Sequence, residues 1–173
     1  GQNFVEKTQE GVLAYISGNT FLDTRLFRGM RYNLLKEFDE IYILNLHGSS
    51  KRDEGSDDVK DECIFNIKVG VSINIFIKRK NVASQSLATV YYKDIYGTRK
   101  EKLNYLLTHS FVDIDFEVIQ PFAPIYAFRT RNEEVRQNYE QGFRIRELMP
   151  EGVKQGFTTG IDSLIMHMNK DSI

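Results

Sequence analysis

The sequence is poor in the residues that usually staple, ligate or span. It has one cysteine, no tryptophan and three prolines in 173 residues. A lone Cys63 excludes a disulfide framework and a thiolate metal cluster, and it fits a reducing cytoplasm. The longest apolar runs, such as 12–16 and 41–44, fall far short of the roughly 20 residues of a membrane helix. No basic-then-apolar leader opens the chain. A soluble cytoplasmic protein without a membrane partner is expected. Neither sign of charge is in excess, with 23 Lys+Arg against 24 Asp+Glu, so any nucleic-acid contact must come from local patches and not from the whole-molecule field. His47, His109 and His167 are far apart in sequence, and Asp57-Asp58 lacks ligand spacing, so no metal site is expected. There is no Gly-x-Gly-x-x-Gly, P-loop or Gly-x-Ser-x-Gly motif.

What is present suffices for a packed α/β domain, since a chain of this length buries about 70% of its surface. Residues 11–18 are almost continuously apolar between glycines, the pattern of a parallel-type strand covered on both faces. From Asp23, a plausible N-cap, Leu22, Leu26, Met30 and Leu34 recur every four residues and predict an amphipathic helix. A second strand follows at 41–46, making a βαβ unit. Residues 69–79 alternate strictly, with Val69, Val71, Ile73, Ile75 and Ile77 on one face. A further strand is expected at 87–92, as a hairpin partner, and helices at 99–109 and 132–141. All prolines lie beyond residue 120, and a boundary is placed near 110: 1–110 forms the main domain and 111–173 an α+β extension.

Residues 48–62 contain one aliphatic side chain and are read as a long mobile loop of the kind that tends to carry function. Two features beside it bear chemistry. Arg25, Arg28 and Arg31, with Lys51 and Arg52, could grip phosphate through forked hydrogen bonds, or could simply form a solvated, salt-bridged face. Phe65, in an apolar island where the loop meets the next strand, could stack on a nucleic-acid base or plug the core. Asn19 and Thr20, at the carboxyl end of the first strand, line the crevice where ligands sit in open α/β sheets.

The segments 11–23, 27–36, 41–48, 60–67 and 70–73, with 92–97 and 156–162, together resemble the adenine-N6 DNA methyltransferase domain of type IIG and type ISP restriction-modification polypeptides. The resemblance implies the carboxyl-terminal half of a Rossmann-like methyltransferase sheet. The strand at 12–17 would be its fifth, that at 41–46 its sixth, and that at 69–79 an inserted antiparallel seventh. It implies that Phe65 stacks on a flipped-out adenine and that 111–173 leads into a target-recognition domain. Double-stranded DNA and the remaining domains of a longer polypeptide would be the partners.

The family's Asn/Asp-Pro-Pro-Tyr/Phe tetrapeptide is missing, because no two prolines are adjacent, and so is its Gly-rich S-adenosylmethionine motif. Both precede the matching strand in the family. The opening Gly-Gln-Asn and the ending Asp-Ser-Ile fit a piece of a longer chain, one arm of a combined enzyme, that alone is inactive and binds no S-adenosylmethionine. A non-catalytic DNA-binding or scaffold module with the same sheet is the alternative.

Overall fold

The computed structural model describes residues 1–48, 61–80 and 86–130, together with Val135, Asn138, Gln141, Gly142 and Glu147. The chain divides into two units, Gly1–Thr130 and Arg131–Ile173, and the sheet belongs to the first. The expected helix at 132–141 and the segment 156–162 lie largely or wholly outside the described residues.

The first unit is α/β. Helices α1 (Gln2–Thr8), α2 (Arg28–Glu37) and α3 (Arg99–Thr108) accompany strands β1 (Gly11–Gly18), β2 (Glu40–Asn45), β3 (Val71–Lys78), β4 (Thr89–Asp94) and β5 (Glu117–Ile119). The strands form one mixed sheet in the order β1-β3-β2-β4-β5. β1 and β2 are joined through α2, and β3 inserts between them, antiparallel to both. The strictly alternating run is thus the central element linking the two halves of the βαβ unit. β4 is not the hairpin partner of β3 that proximity in sequence suggested. It lies on the far side of β2 and pairs with it in parallel, its side chains Val90 and Tyr92 joining Ile41, Ile43 and Phe76 in the core.

The helix after β1 also begins later than its periodicity suggests. Two 3₁₀ turns, Asn19–Leu22 and Arg25–Phe27, intervene before α2. Leu26 is consequently 82% exposed, while Arg31, Leu34 and Leu35 face inward. Asp23 caps no helix and instead pairs with Arg129, 3.4 Å away. α3 starts where a capping box dictates: the Thr98 hydroxyl accepts from Glu101 N, and the Glu101 carboxylate accepts from Thr98 N at 2.7 Å.

Two apolar clusters sandwich the sheet. On the α2 face, Leu22, Leu34, Leu35, Phe38, Ile41, Ile43, Phe76 and Phe128 pack together. On the α3 face, Leu44, Leu46, Ile64, Val71 and Ile95 form a second core that Tyr105, Leu106 and Phe116 complete. β1 is not covered on both faces as its composition suggested. Among the described residues it is one of the two edge strands, and Val12, Tyr15 and Ile16 are exposed.

Candidate functional site

The α2 face of the sheet changes character along its strands. At the amino ends of β2 and β4 it presents Ile41 and Val90. At the carboxyl ends, Ser17, Ser72, Asn45 and Asp94 stand in register across β1, β3, β2 and β4. Polar side chains on a buried sheet face cost several kcal/mol unless paired. Here Asn74 serves both serines, its Nδ2 donating to Ser17 Oγ and its Oδ1 accepting from Ser72 Oγ, while Asn45 donates to Asp94; no buried side-chain nitrogen or oxygen among the described residues lacks a partner.

Asp94 is the hub. One of its oxygens accepts from Tyr92 OH at 2.5 Å, from Asn45 Nδ2 at 3.2 Å and from His47 Nε2. A carboxylate can only accept, so Nε2 of His47 carries the proton. Asn45 Nδ2 also donates to Tyr92 OH at 2.8 Å, while its Oδ1 accepts from Asn19 Nδ2 at 3.1 Å. The His47 ring is fully buried and stacks on Tyr96, with ring centroids 4.0 Å apart. Burial by itself would raise the Asp94 carboxyl, but hydrogen bonds from His47 and Tyr92, helped by the charges of His47 and Arg129, hold it below the usual range. The Tyr92 phenol is driven the other way, by burial first and then by the Asp94 hydrogen bond and charge, and so remains a donor. A concavity of about 450 Å³ opens beside this cluster, lined by Tyr92, Lys93, Asp94, Asp115 and Glu117.

Beyond β2 the chain turns at His47 and Gly48, both at positive φ, 50° and 84°. A Cβ at Gly48 would sit 2.3 Å from Cys63 Cα, so only glycine allows residues 48 and 63 to meet. Asp61 closes this junction: its carboxylate accepts from Gly48 N at 2.6 Å and from Gly97 N at 3.0 Å. Lys102 of α3 reaches the same carboxylate at 2.6 Å, and its ammonium also donates to Leu46 O and Glu62 O. With no exposed surface, Lys102 has three acceptors for its three donors.

The residues singled out in the sequence fall into separate groups. Phe65 is 42% exposed and is not a core plug; its neighbour Ile64 fills that role, 8% exposed in the α3-face cluster. β3 runs antiparallel, so the segment leading into Val71 lies at the carboxyl ends of β1 and β2. Asn19 is at the same end and is tied to Asn45, and Thr20 beside it is exposed. Arg25 and Arg28 are exposed. Arg31 corrects the expectation of a phosphate contact. It is completely buried, and its guanidinium donates to the carbonyls of Phe21 (2.5 Å), Thr24 (3.0 Å), Ile125 (2.6 Å) and Tyr126 (2.8 Å). It ties the 3₁₀ turns to the segment before Phe128. Lys51 and Arg52 lie outside the described residues, as do Asp57 and Asp58.

Sequence reasoning missed the Asp94 cluster and the Asp61–Lys102 pair. The signal for the first was available, because Asn45 and Asp94 each end an apolar run at the position where its alternation demands another inward-facing residue. For the second there was none: Lys102 sits in the run Arg99-Lys100-Glu101-Lys102, which reads as a solvated helical turn.

No protein-family model matches the chain, and no curated protein does. Solved structures do. A cryo-EM structure of a DrdV–DNA complex is 30% identical over 66% of this chain, with a TM-score of 0.59. A nuclease-deletion mutant of the Type ISP restriction-modification enzyme LlaGI, in complex with a DNA substrate mimic, is 28% identical over 75% of this chain (TM-score 0.61). The ATP-dependent Type ISP restriction-modification enzyme LlaBIII, bound to DNA, is 28% identical over 75% (TM-score 0.60). This chain spans 11%, 12% and 9% of those chains, respectively. The similarity is to one region within much longer chains, two of them Type ISP restriction-modification enzymes.

Proposed function

We propose that this chain is the carboxyl-terminal part of an adenine-N6 DNA methyltransferase domain within a restriction-modification polypeptide, and that it binds double-stranded DNA and receives a flipped-out adenine against Phe65. The observation that carries this reading is the exposure of an aromatic ring at the carboxyl ends of β1 and β2, next to an isoleucine that seals the core in its place. N6 of adenine cannot be reached inside a stacked duplex, so a modifying enzyme must hold the base by its face once it is out. The DNA complexes among the similar structures support the same partner.

The described residues at the carboxyl ends of the strands do not fit S-adenosylmethionine. After β1 comes a 3₁₀ turn whose Asn19 is committed to Asn45. After β2, Gly48 N is taken by Asp61, and after β4, Gly97 N is taken by the same carboxylate. Among the described residues of these turns, Asn19, Gly48 N and Gly97 N are each committed within the chain and leave no open backbone cradle. On this reading the cofactor and the Asn/Asp-Pro-Pro-Tyr/Phe tetrapeptide belong to a preceding half of the domain, whose sheet would continue from the edge of β1 that is unpaired among the described residues. This half supplies the base-stacking ring, the cleft wall at Asn19 and Thr20, and backbone contacts from exposed Arg25 and Arg28.

The test is N6-methyladenine in the DNA of cells expressing the polypeptide that contains this chain. Phe65→Ala should lower methylation at least tenfold, about 1.4 kcal/mol, and reduce 2-aminopurine fluorescence enhancement, with unchanged thermal stability. DNA binding without any methylation would favour the non-catalytic module. Tight calorimetric binding of S-adenosylmethionine by this chain alone would overturn the division of labour.

A further inference from the structure

Residues 65–69, Phe-Asn-Ile-Lys-Val, are all exposed, between buried Ile64 and buried Gly70. Three of the five are large and apolar, with Ile67, at the centre, 50% exposed and Val69 40%. The base from which they project is firmly held. Ile64 is packed among Leu44, Leu46, Val71 and Ile95, and its carbonyl accepts from Arg99 Nε. Cys63 Sγ donates to Val69 O at 3.4 Å, drawing the two limbs together. Gly70 O accepts from Asn19 N at 2.9 Å, and a Cβ at Gly70 would come within 2.6 Å of Asn19 Nδ2. Behind this base stands the buried Lys102–Asp61 pair. The result is a short finger with an anchored root and an apolar tip.

Leaving such side chains in water forgoes burial free energy that polar residues would not sacrifice, so a cluster of them marks a contact surface. Its occupant must accept an isoleucine and a lysine side by side, since Lys68 shares the exposed tip. An opened base stack does so, offering flat apolar faces with phosphates at their margin. We propose that the finger is a DNA wedge: Ile67 enters the base stack where a nucleotide has been everted, and Lys68 meets an adjacent phosphate, while Phe65 receives the base itself. This rests on the reading of duplex DNA as the partner, and adds to it the residue that fills the gap.

Filling a gap is favoured when the gap already exists, because the unstacking cost is prepaid. The chain is therefore titrated, by fluorescence anisotropy at low salt, against a mixed-sequence duplex with one central abasic site and against its fully paired counterpart. Preference for the abasic duplex by about tenfold, or about 1.4 kcal/mol, is expected. Ile67→Ser and Ile67→Ala should abolish that preference while leaving paired-duplex affinity and the melting temperature unchanged. Lys68→Ala should weaken both duplexes alike and reduce the salt slope by about 1. Equal affinity of the wild type for the two duplexes, a preference that survives in both Ile67 variants, or no binding to either duplex would overturn the wedge. An Ile67-dependent preference without N6-methyladenine in cells would keep the wedge and reject the methyltransferase reading; methylation without the preference would do the reverse.

Discussion

Asp94 shows how one side chain can set the state of a site. Three donors converge on one of its oxygens, and the carboxyl is held below its ordinary value of 3.8. A carboxyl depressed in the folded state adds stability that is present above its unfolded value and is lost as pH falls through the folded one. Asp94→Asn should therefore cost stability at neutral pH, and its deficit against the wild type should shrink as pH falls below the ordinary carboxylate range. Urea melts at neutral pH and at about pH 3 read this directly; a deficit that stays constant with pH would mean the charge is irrelevant. Arg31 gives the complementary lesson. Three arginines at helical spacing look equivalent in sequence, yet Arg25 and Arg28 remain in solvent while Arg31 is consumed by backbone carbonyls whose positions only the fold creates.

Among the elements, α2 is the one whose sequence pattern misleads. The Leu22-Leu26-Met30-Leu34 stripe presumes one continuous helix, but the 3₁₀ turns after β1 rotate the start of the helix, and Leu35 becomes fully buried instead of Leu26. Leu35→Ala should destabilise by about 2–5 kcal/mol, whereas Leu26→Ala should stay within about 0.5 kcal/mol. Equilibrium urea unfolding distinguishes them, and a similar loss for both would restore the continuous stripe. β3 was legible for the opposite reason. Strict alternation encodes a strand without reference to its neighbours, although not which strands it separates.

Taken as a whole, the sheet is unevenly finished. The edge at β5 is only three residues long, while the eight-residue β1 leaves Val12, Tyr15 and Ile16 exposed beside an edge that is unpaired among the described residues. Edge strands of this kind template association, and a net charge of −1 provides little repulsion against it. Ile16→Lys should reduce both dye binding to exposed apolar surface and light scattering at high concentration, with little change in melting temperature. Undiminished association would place the sticky surface elsewhere.

Local sequence was enough to specify the α/β class, the strands near 11–18, 40–45 and 71–78 and the helix from Arg99, because apolar periodicity and a capping box act over a few residues. It also marked Phe65, in the stretch that precedes β3, as a candidate site residue. The assembled fold was needed to bury Ile64 and expose Phe65, to turn Lys102 inward to Asp61, and to carry β4 across β2 so that Asp94 meets His47 and Asn45. Each of these outcomes depends on partners tens of residues away. Pairing across such distances is chosen by the burial and hydrogen bonding of the completed sheet, and no short window of sequence contains that information.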